Sequence, residues 1–378
     1  MRIVHRTLSV FICVSLLSLS VWSQNTSIVI PAGTPEDKNL SAIAAESDAQ
    51  KRIAAYQEFL KKYADNKPAA AYAEWQLSQQ YLAAGDTAKA MEFGDKAVDA
   101  YPNNLDIIMS QASVAQAMKD NSKVVDYAVQ GAGVFHSIAK QAKPADVADS
   151  DWTTRITNEE ASAQPAHDFL ETSAYNAISS EQDPNKRMAE IEKFTPAFPK
   201  SKFDDQITQL ALYSLRQLNQ PQRMIAYGEK TLVTNPDSIP TLLMMADAYA
   251  GDPKDAAKAE TYANKVITLV GPNPPSDDKT KRSYAGLAHT TLGHAELNQE
   301  KLLPAVTDLK TAVSLLQDDP QDQQVALFYL GYAYAKQNHK ADAVASLQKA
   351  AAISGPYQGP AKDMLAKVSA AGPATKKQ

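Results

Sequence analysis

Between Leu327 and Pro356, large and small residues recur at offsets that leave little choice of fold. Leu327, Leu330, Gly331 and Tyr334 stand at i, i+3, i+4 and i+7 and so share one helix face. Ala343, Leu347 and Ala350 do the same on a following helix, and Pro356 cannot continue it. The spacing predicts a helix, a tight turn and a second helix, with Gly331 and the alanines letting the two approach closely.

The same pattern returns along the chain. Ala71–Asn104 has Leu77, Ser78 and Tyr81 on a first helix, Gly85-Asp86 at the turn, Ala90 and Ala97 on a second helix, and Pro102 as the stop. Leu105–His136 follows at the same 34-residue step in degraded form, with Ile108, Ala112 and Ala115, then Val124, Ala128 and Gly131. Further units span Asp205–Pro236, Ile239–Gly271 and Gly286–Pro320, the last with Glu296 where Tyr is usual. Ile53, Tyr56, Phe59, Leu60 and Tyr63 form an apolar stripe on an earlier helix, after a first one near Leu40–Glu46.

A longer period lies over the short one. Ala42–Phe59 aligns without gaps to Ala177–Phe194 at an offset of 135, with eight of eighteen positions identical, among them Glu46/Glu181, Asp48/Asp183, Lys51/Lys186 and Arg52/Arg187. At an offset of 134, Met91–Pro102 corresponds to Ile225–Pro236 and shares Gly94/Gly228, Lys96/Lys230 and Pro102/Pro236. A block of roughly 100 residues is therefore used twice, the mark of a repeat array. The expected organisation is a signal segment at 1–23, an extended lead-in at 24–37 and a first helical block at 38–136. An insertion or linker at 137–166 follows, then a second block at 167–270 and a proline-rich linker at 271–285. A C-terminal repeat pair with a capping helix occupies 286–369, and a tail 370–378. The insertion, with Pro144 and Asp146, Asp149 and Asp151, reads as a loop and an irregular helical start carrying Trp152.

These units resemble the tetratricopeptide repeat, W-x2-L-G-x2-Y then A-x3-F and a closing proline, and the chain resembles exported bacterial proteins of that family over most of Leu40–Val368. Leu327 stands for the Trp and Leu347 for the Phe, while Trp75 falls one place after its expected position. The resemblance implies an all-α, right-handed α-solenoid ending in a capping helix near Ala361–Val368. It also implies protein or peptide partners held along a groove lined by the first helix of each repeat. Carried onto this sequence, the groove positions are Trp75 and Gln79, Met109 and Ser113, Tyr213 and Arg216, Leu243 and Asp247, Thr290 and His294, then Phe328, Tyr332 and Lys336. The lysine and asparagine with which some relatives clamp a terminal carboxylate are replaced in the early repeat by Trp75 and Gln79.

Composition narrows the chemistry. Arg2 and Arg6 precede an apolar run, Thr7–Trp22, with small residues near Ser23: a secretory signal cut after Ser23, or alternatively a retained anchor. Periplasmic or secreted location is the expectation. Cys13 is the only cysteine, so a processed chain has no disulfide, thiol nucleophile or cysteine metal site. A formal net charge of −5 with no basic cluster argues against nucleic acid, and no second apolar run is long enough to span a bilayer. No nucleotide-binding, zinc-protease or nucleophile-elbow motif occurs. Ser137-x-x-Lys140 and Ser346-x-x-Lys349 lack the companion motifs of serine acyl-transferases, and His289 and His294 diverge around a helix. The sequence therefore points to a non-enzymatic binding scaffold without cofactor or metal. A self-associating envelope assembly factor is the alternative, and a hydrolase built across repeats a remote one. Oligomeric state is left open.

Overall fold

A computed structural model describes residues 27–271 and 274–370. The expected signal segment, with its expected cut after Ser23, and the tail beyond Ala370 lie outside them. Among the described residues there are seventeen α-helices and no strand. They fall into two compact units meeting at Asp204/Asp205. In the first are α1 (Pro35–Ala44), α2 (Ala49–Lys62), α3 (Lys67–Ala83), α4 (Thr87–Ala100), α5 (Leu105–Met118), α6 (Asn121–Ile138), α7 (Asp149–Ser180) and α8 (Pro184–Ala197). The second unit begins with α9 (Asp204–Gln217), α10 (Pro221–Thr234), α11 (Ile239–Ala250), α12 (Ala256–Val270) and α13 (Lys279–Asn298). It ends with α14 (Leu302–Leu315), α15 (Pro320–Lys336), α16 (Lys340–Ala352) and α17 (Gln358–Ala370).

The helices pack as hairpins: α3 on α4, α5 on α6, α11 on α12, α13 on α14 and α15 on α16. First helices also touch across repeats, α3 with α5, α5 with α7, α11 with α13 and α13 with α15. This is repeat packing of the tetratricopeptide kind, in which each hairpin buries its apolar face on the next. The small residues act as the spacing requires. A Cβ on Gly331 would come within 2.6 Å of Leu347 Cγ, and one on Gly293 within 2.5 Å of Leu309 Cγ. In both repeats a leucine of the second helix sits where only a hydrogen fits. The capping helix α17 packs on α16 and α15, with Ala361 its one fully buried side chain.

Five first helices end in one way. Gly85, Lys119, Asn219, Glu300 and Asn338 all have positive φ, between 52° and 80°. The next amide reaches back to Tyr81, Ala115, Leu215, Glu296 and Tyr334 respectively, at 2.9–3.0 Å. That is the Schellman closure of a helix C-terminus. The acceptor is in each case the residue at the repeat's tyrosine position, so the turn and the packing motif are one device.

The duplication is visible in the geometry. Before α2, Glu46 Oε1 accepts from Asp48 N at 2.9 Å, Asp48 caps Lys51 N at 2.9 Å, and Arg52 donates to Glu46 O at 2.9 Å. Before α8, Glu181 Oε1 accepts from Asp183 N at 2.9 Å, Asp183 caps the amides of Asn185 and Lys186, and Arg187 donates to Glu181 O at 2.9 Å. The residues shared outside the repeat consensus thus build the same loop twice. Gly94 faces Gln111, and Gly228 faces Met245, each so closely that a Cβ would overlap the side chain. Both members of the second pair lie 134 residues beyond those of the first.

The structure departs from the sequence reading at three places. Helix α1 starts at Pro35, capped by Thr34 accepting from Asp37 N at 3.3 Å, so the lead-in is shorter than expected. The linker after Gly271 ends where Asp278 caps α13 through Lys281 N. Most of the stretch read as a loop and irregular start belongs to one continuous helix, α7, which carries Pro165 in its interior. Its first turns hide from a periodicity reading because nothing between Asp149 and Ser162 is buried, which leaves no apolar stripe to detect. No described helix is long and apolar enough to cross a membrane.

Candidate functional site

Each unit carries an open cavity lined chiefly by first helices. In the first unit it measures about 590 Å³. Helix α3 presents Trp75, Gln79, Leu82 and Ala83, helix α5 presents Asp106, Met109, Ser110 and Ser113, and α7 contributes Phe169. These side chains are available because their neighbours on the same helices turn inward: Leu77, Ser78, Ile108 and Ala112 are fully buried. Trp75 does two things. One side packs on the cluster of Ala71, Ala97, Val98, Tyr101 and Ile107, and its ring meets Tyr72 edge-on at 6.2 Å. Its indole N–H is buried and has no hydrogen-bond partner. Ser113 spends its hydroxyl on Met109 O at 3.0 Å, leaving a mainly apolar wall with Gln79 and Asp106 as polar points.

The cavity of the second unit measures about 540 Å³. Arg216 on α9, Leu243, Met244 and Asp247 on α11, and Leu287, Thr290 and Thr291 on α13 form one side. Asp322 and Val325 on α15, with Pro356 and Tyr357 beyond α16, form the other, and Met224 on α10 contributes as well. Arg216 and Asp247 pair at 3.9 Å, both largely exposed, which makes a weak ion pair. Asp322, in the first turn of α15, is half-buried and beside Asp319. Burial and then that neighbour push its carboxyl up to about 6.

Tyr357 is held in place by an internal amide. Gln324, fully buried, donates to Ala350 O at 3.0 Å and to Ile353 O, and accepts from Tyr357 N at 3.4 Å. Behind Tyr357 lie Phe328, 5.0 Å away ring to ring, and Tyr329, whose hydroxyl meets that of Tyr357 at 3.1 Å. Tyr329 stacks on His294 at 4.2 Å. Burial lowers the His294 imidazole, with the Asp247 carboxylate opposing it.

The groove residues expected from the sequence therefore divide. Trp75, Gln79, Met109 and Ser113 come together in the first cavity; Arg216, Leu243, Asp247 and Thr290 come together in the second. His294 and Phe328 stand behind the second cavity as aromatic backing. Tyr213 is half-exposed and outside it. Tyr332 and Lys336 pair with each other, the ammonium 5.5 Å from the ring centre, and Tyr332 packs on the core cluster around Leu330. Neither lines a described cavity. Sequence reasoning missed Phe169, Met244, Asp322 and Tyr357. None of the four stands at a groove position of the repeat, although Met244 and Ser110 are equivalent at the 134-residue offset.

Among the described residues no group of three or more His, Asp or Glu side chains is placed to hold a metal ion. One buried polar cluster lies on the far side of α13: Glu296, Asp308 and His289, with His289 Nδ1 2.7 Å from Asp308 Oδ1. Burial, then Asp308 and Glu260, push the Glu296 carboxyl up to about 8.

No protein-family model matches the chain, and no curated protein matches it. Solved structures do. The tetratricopeptide domain of P58(IPK) aligns with 89% of this chain and 98% of its own at 12% identity, with a TM-score of 0.27. A tetratricopeptide repeat protein from Parabacteroides merdae aligns with 83% of this chain and 98% of its own at 13% identity and a TM-score of 0.38. The C-terminal part of a TPR repeat-containing protein from Cytophaga hutchinsonii covers 77% and 99%, at 14% identity and a TM-score of 0.38. At such identities the likeness concerns the fold alone.

Proposed function

We propose that this chain is a non-enzymatic scaffold of the bacterial cell envelope that holds a protein or peptide segment against the first helices of its repeats. The observation that carries this is a pair of open cavities lined chiefly by first helices, walled by Trp75, Met109 and Phe169 in one and by Leu243, Met244 and Tyr357 in the other. Aromatic and sulfur-bearing walls with a few polar points suit side chains of a peptide, since they give contact area at low entropic cost. The charged-then-apolar start of the chain supports work outside the cytoplasm.

The test is an immobilised peptide library probed with the full chain and with a Trp75→Ala/Leu243→Ala variant. The variant is expected to lose at least about tenfold in affinity for the captured peptides at unchanged helical circular dichroism. A library that captures neither protein overturns the reading. N-terminal sequencing of chain recovered from envelope fractions tests the location: a first residue at Gln24 supports it, and an intact Met1 in the cytoplasmic fraction contradicts it.

A second reading, self-association, rests on the start of α7, where Trp152 is half-covered by the Arg155 guanidinium at 5.2 Å and no residue from Asp149 to Ser162 is buried. Trp152→Ala would then lower the mass seen by light scattering. An unchanged mass removes this reading.

A further inference from the structure

The two cavities occupy the same place in the duplicated block. At the offset of 134, Leu82 corresponds to Arg216, Met109 to Leu243, Ser110 to Met244 and Ser113 to Asp247. All eight residues line a cavity. The offset is anchored independently by the two glycine contacts, Gly94 on Gln111 and Gly228 on Met245, and by the turns at Gly85 and Asn219. A cavity retained at equivalent positions through a duplication, with its lining residues changed, is what divergence of a binding site leaves behind.

The changes have a direction. An apolar Leu82 and a neutral Ser113 in the first cavity face a cation and an anion, Arg216 and Asp247, in the second. The second also gains Asp322 from α15, which makes no ion pair; its near charged neighbour is another carboxylate, Asp319. The cavity thus holds two carboxylates against one guanidinium. That guanidinium is mostly solvated and 3.9 Å from Asp247, so it is free to swing away at little cost. The apolar side chains that share this cavity with the carboxylates, Leu243, Leu287, Val325 and Tyr357, suit an alkyl stem leading to a charged tip.

Resting on the peptide-binding reading above, we infer that the cavity of the second unit recognises a lysine- or arginine-bearing peptide segment, with its cation between Asp247 and Asp322 and its stem along Leu243, Leu287, Val325 and Tyr357. The aromatic backing of Phe328 and Tyr329 behind Tyr357 fixes that ring's position. A cation beside Tyr357 gains from the ring face as well as from the carboxylates. The carboxyl of Asp322, pushed up to about 6 by burial and by Asp319, is ionised and uncompensated at neutral pH; a bound cation supplies the missing partner.

The experiment uses the full chain and three fluorescein-labelled peptides, Gly-Leu-Xaa-Leu-Gly with blocked ends and Xaa as lysine, norleucine or glutamate, read by anisotropy. At pH 7.5 the lysine peptide is expected to bind about tenfold more tightly than the norleucine one, a step of about 1.4 kcal/mol, with glutamate weakest. Asp322→Asn and Asp247→Asn should each remove most of that preference, while Glu58→Gln, an exposed carboxylate on α2 that lines neither cavity, leaves it intact. The preference should shrink at pH 5, where Asp322 is protonated. Norleucine or glutamate binding as tightly as lysine, or a preference that survives Asp322→Asn, overturns the assignment of charge but leaves peptide binding standing. Failure of all three peptides, together with an empty peptide library, overturns both.

Discussion

Gly331 and Leu347 offer a test of how the repeats are held together. Leu347 is fully buried, and truncation to alanine should cost about 2–5 kcal/mol, the transfer term plus a cavity. Gly331→Ala adds a Cβ 2.6 Å from Leu347 Cγ, 2.9 Å from its Cδ2 and 3.3 Å from its backbone N. The first two contacts can yield if the leucine changes rotamer; the third cannot. Overpacking of this kind costs about 1–3 kcal/mol. The gain in helix propensity from glycine to alanine returns about 1 kcal/mol, so the single variant should lose up to about 2 kcal/mol. In the double variant Leu347 Cγ and Cδ2 are gone, and the new methyl fills part of the space. The two effects should therefore fall short of their sum by about 1–3 kcal/mol. The two units make a single global transition an unsafe measure. Hydrogen exchange by mass spectrometry on peptides from α15 and α16 of the full chain reports the local opening free energy. Gly133→Ala is the matched control: it lies exposed within α6 with nothing within 4 Å of a new Cβ, so the same substitution should stabilise by about 0.5–1 kcal/mol. Additivity of the 331 and 347 variants to within about 0.5 kcal/mol would refute the claim that the glycine exists to admit the leucine.

Two titrating groups, one in each unit, respond to pH in opposite senses. His167, ringed by Phe135, His136 and Phe198, is lowered from 6.5 chiefly by burial, with its ring nitrogens lacking hydrogen-bond partners. The unfolded chain takes up its proton first, so the stability tied to a neutral His167 is present above pH 6.5 and is lost as pH falls through the lower folded value. Since the described tryptophans, Trp75 and Trp152, both belong to the first unit, tryptophan fluorescence follows its melting, and His167→Phe should raise its melting temperature more at pH 5 than at pH 7.5. Glu296 behaves in the reverse sense: raised from 4.5 to about 8, it contributes fully below 4.5 and loses that contribution as pH rises through about 8. Glu296→Gln should raise the resistance of α13 and α14 to exchange at pH 9, after correction for intrinsic exchange rates, and change little at pH 5. Equal effects at both pH values would contradict the assignment. Glu300→Gly should stabilise its turn by about 1 kcal/mol, since Glu300 holds a φ of 60° that glycine adopts without cost, and thermal melting of the variant checks it.

What the sequence shows and what it hides separate along one physical line. Contacts within a repeat are set by offsets of three, four and seven and by fixed turns, so Gly331 against Leu347 and Leu77 inside α3 can be read from letters alone. Of the five left-handed turn residues Gly85, Asn219 and Asn338 are of types that favour the conformation; Lys119 and Glu300 are driven into it by the hairpin and carry no mark in the sequence. The first helices also place Trp75 beside Met109 and Arg216 beside Asp247 from register alone, which is why those residues share cavities. Phe328 fails by the same logic. Its position within the repeat is a groove position, but Gln324 draws the Ile353–Tyr357 segment across it, and the ring ends against Tyr357 and the Leu327, Ala350 and Ala361 cluster.

That segment also explains why the second cavity is the more elaborate copy. In the first unit the third wall is Phe169 alone, from a helix whose outer turns bury no side chain. In the second unit further hairpins follow, and they bring Asp322, Val325, Pro356 and Tyr357 to a site whose older walls are α9 and α11. A duplicated site that acquires a new wall acquires new chemistry with it. The added wall brings a carboxylate and an aromatic face, whereas the first cavity has its own carboxylate, Asp106, on α5; the two sites therefore differ in where charge is placed more than in size, their volumes of about 590 and 540 Å³ being nearly the same. An Asp322→Leu variant should accordingly return the second cavity toward the selectivity of the first. With the lysine and norleucine peptides it should reverse the order of binding while keeping the affinity for norleucine within about threefold of the unaltered chain. If lysine still binds better after that change, the charge preference does not originate in the wall that α15 supplies.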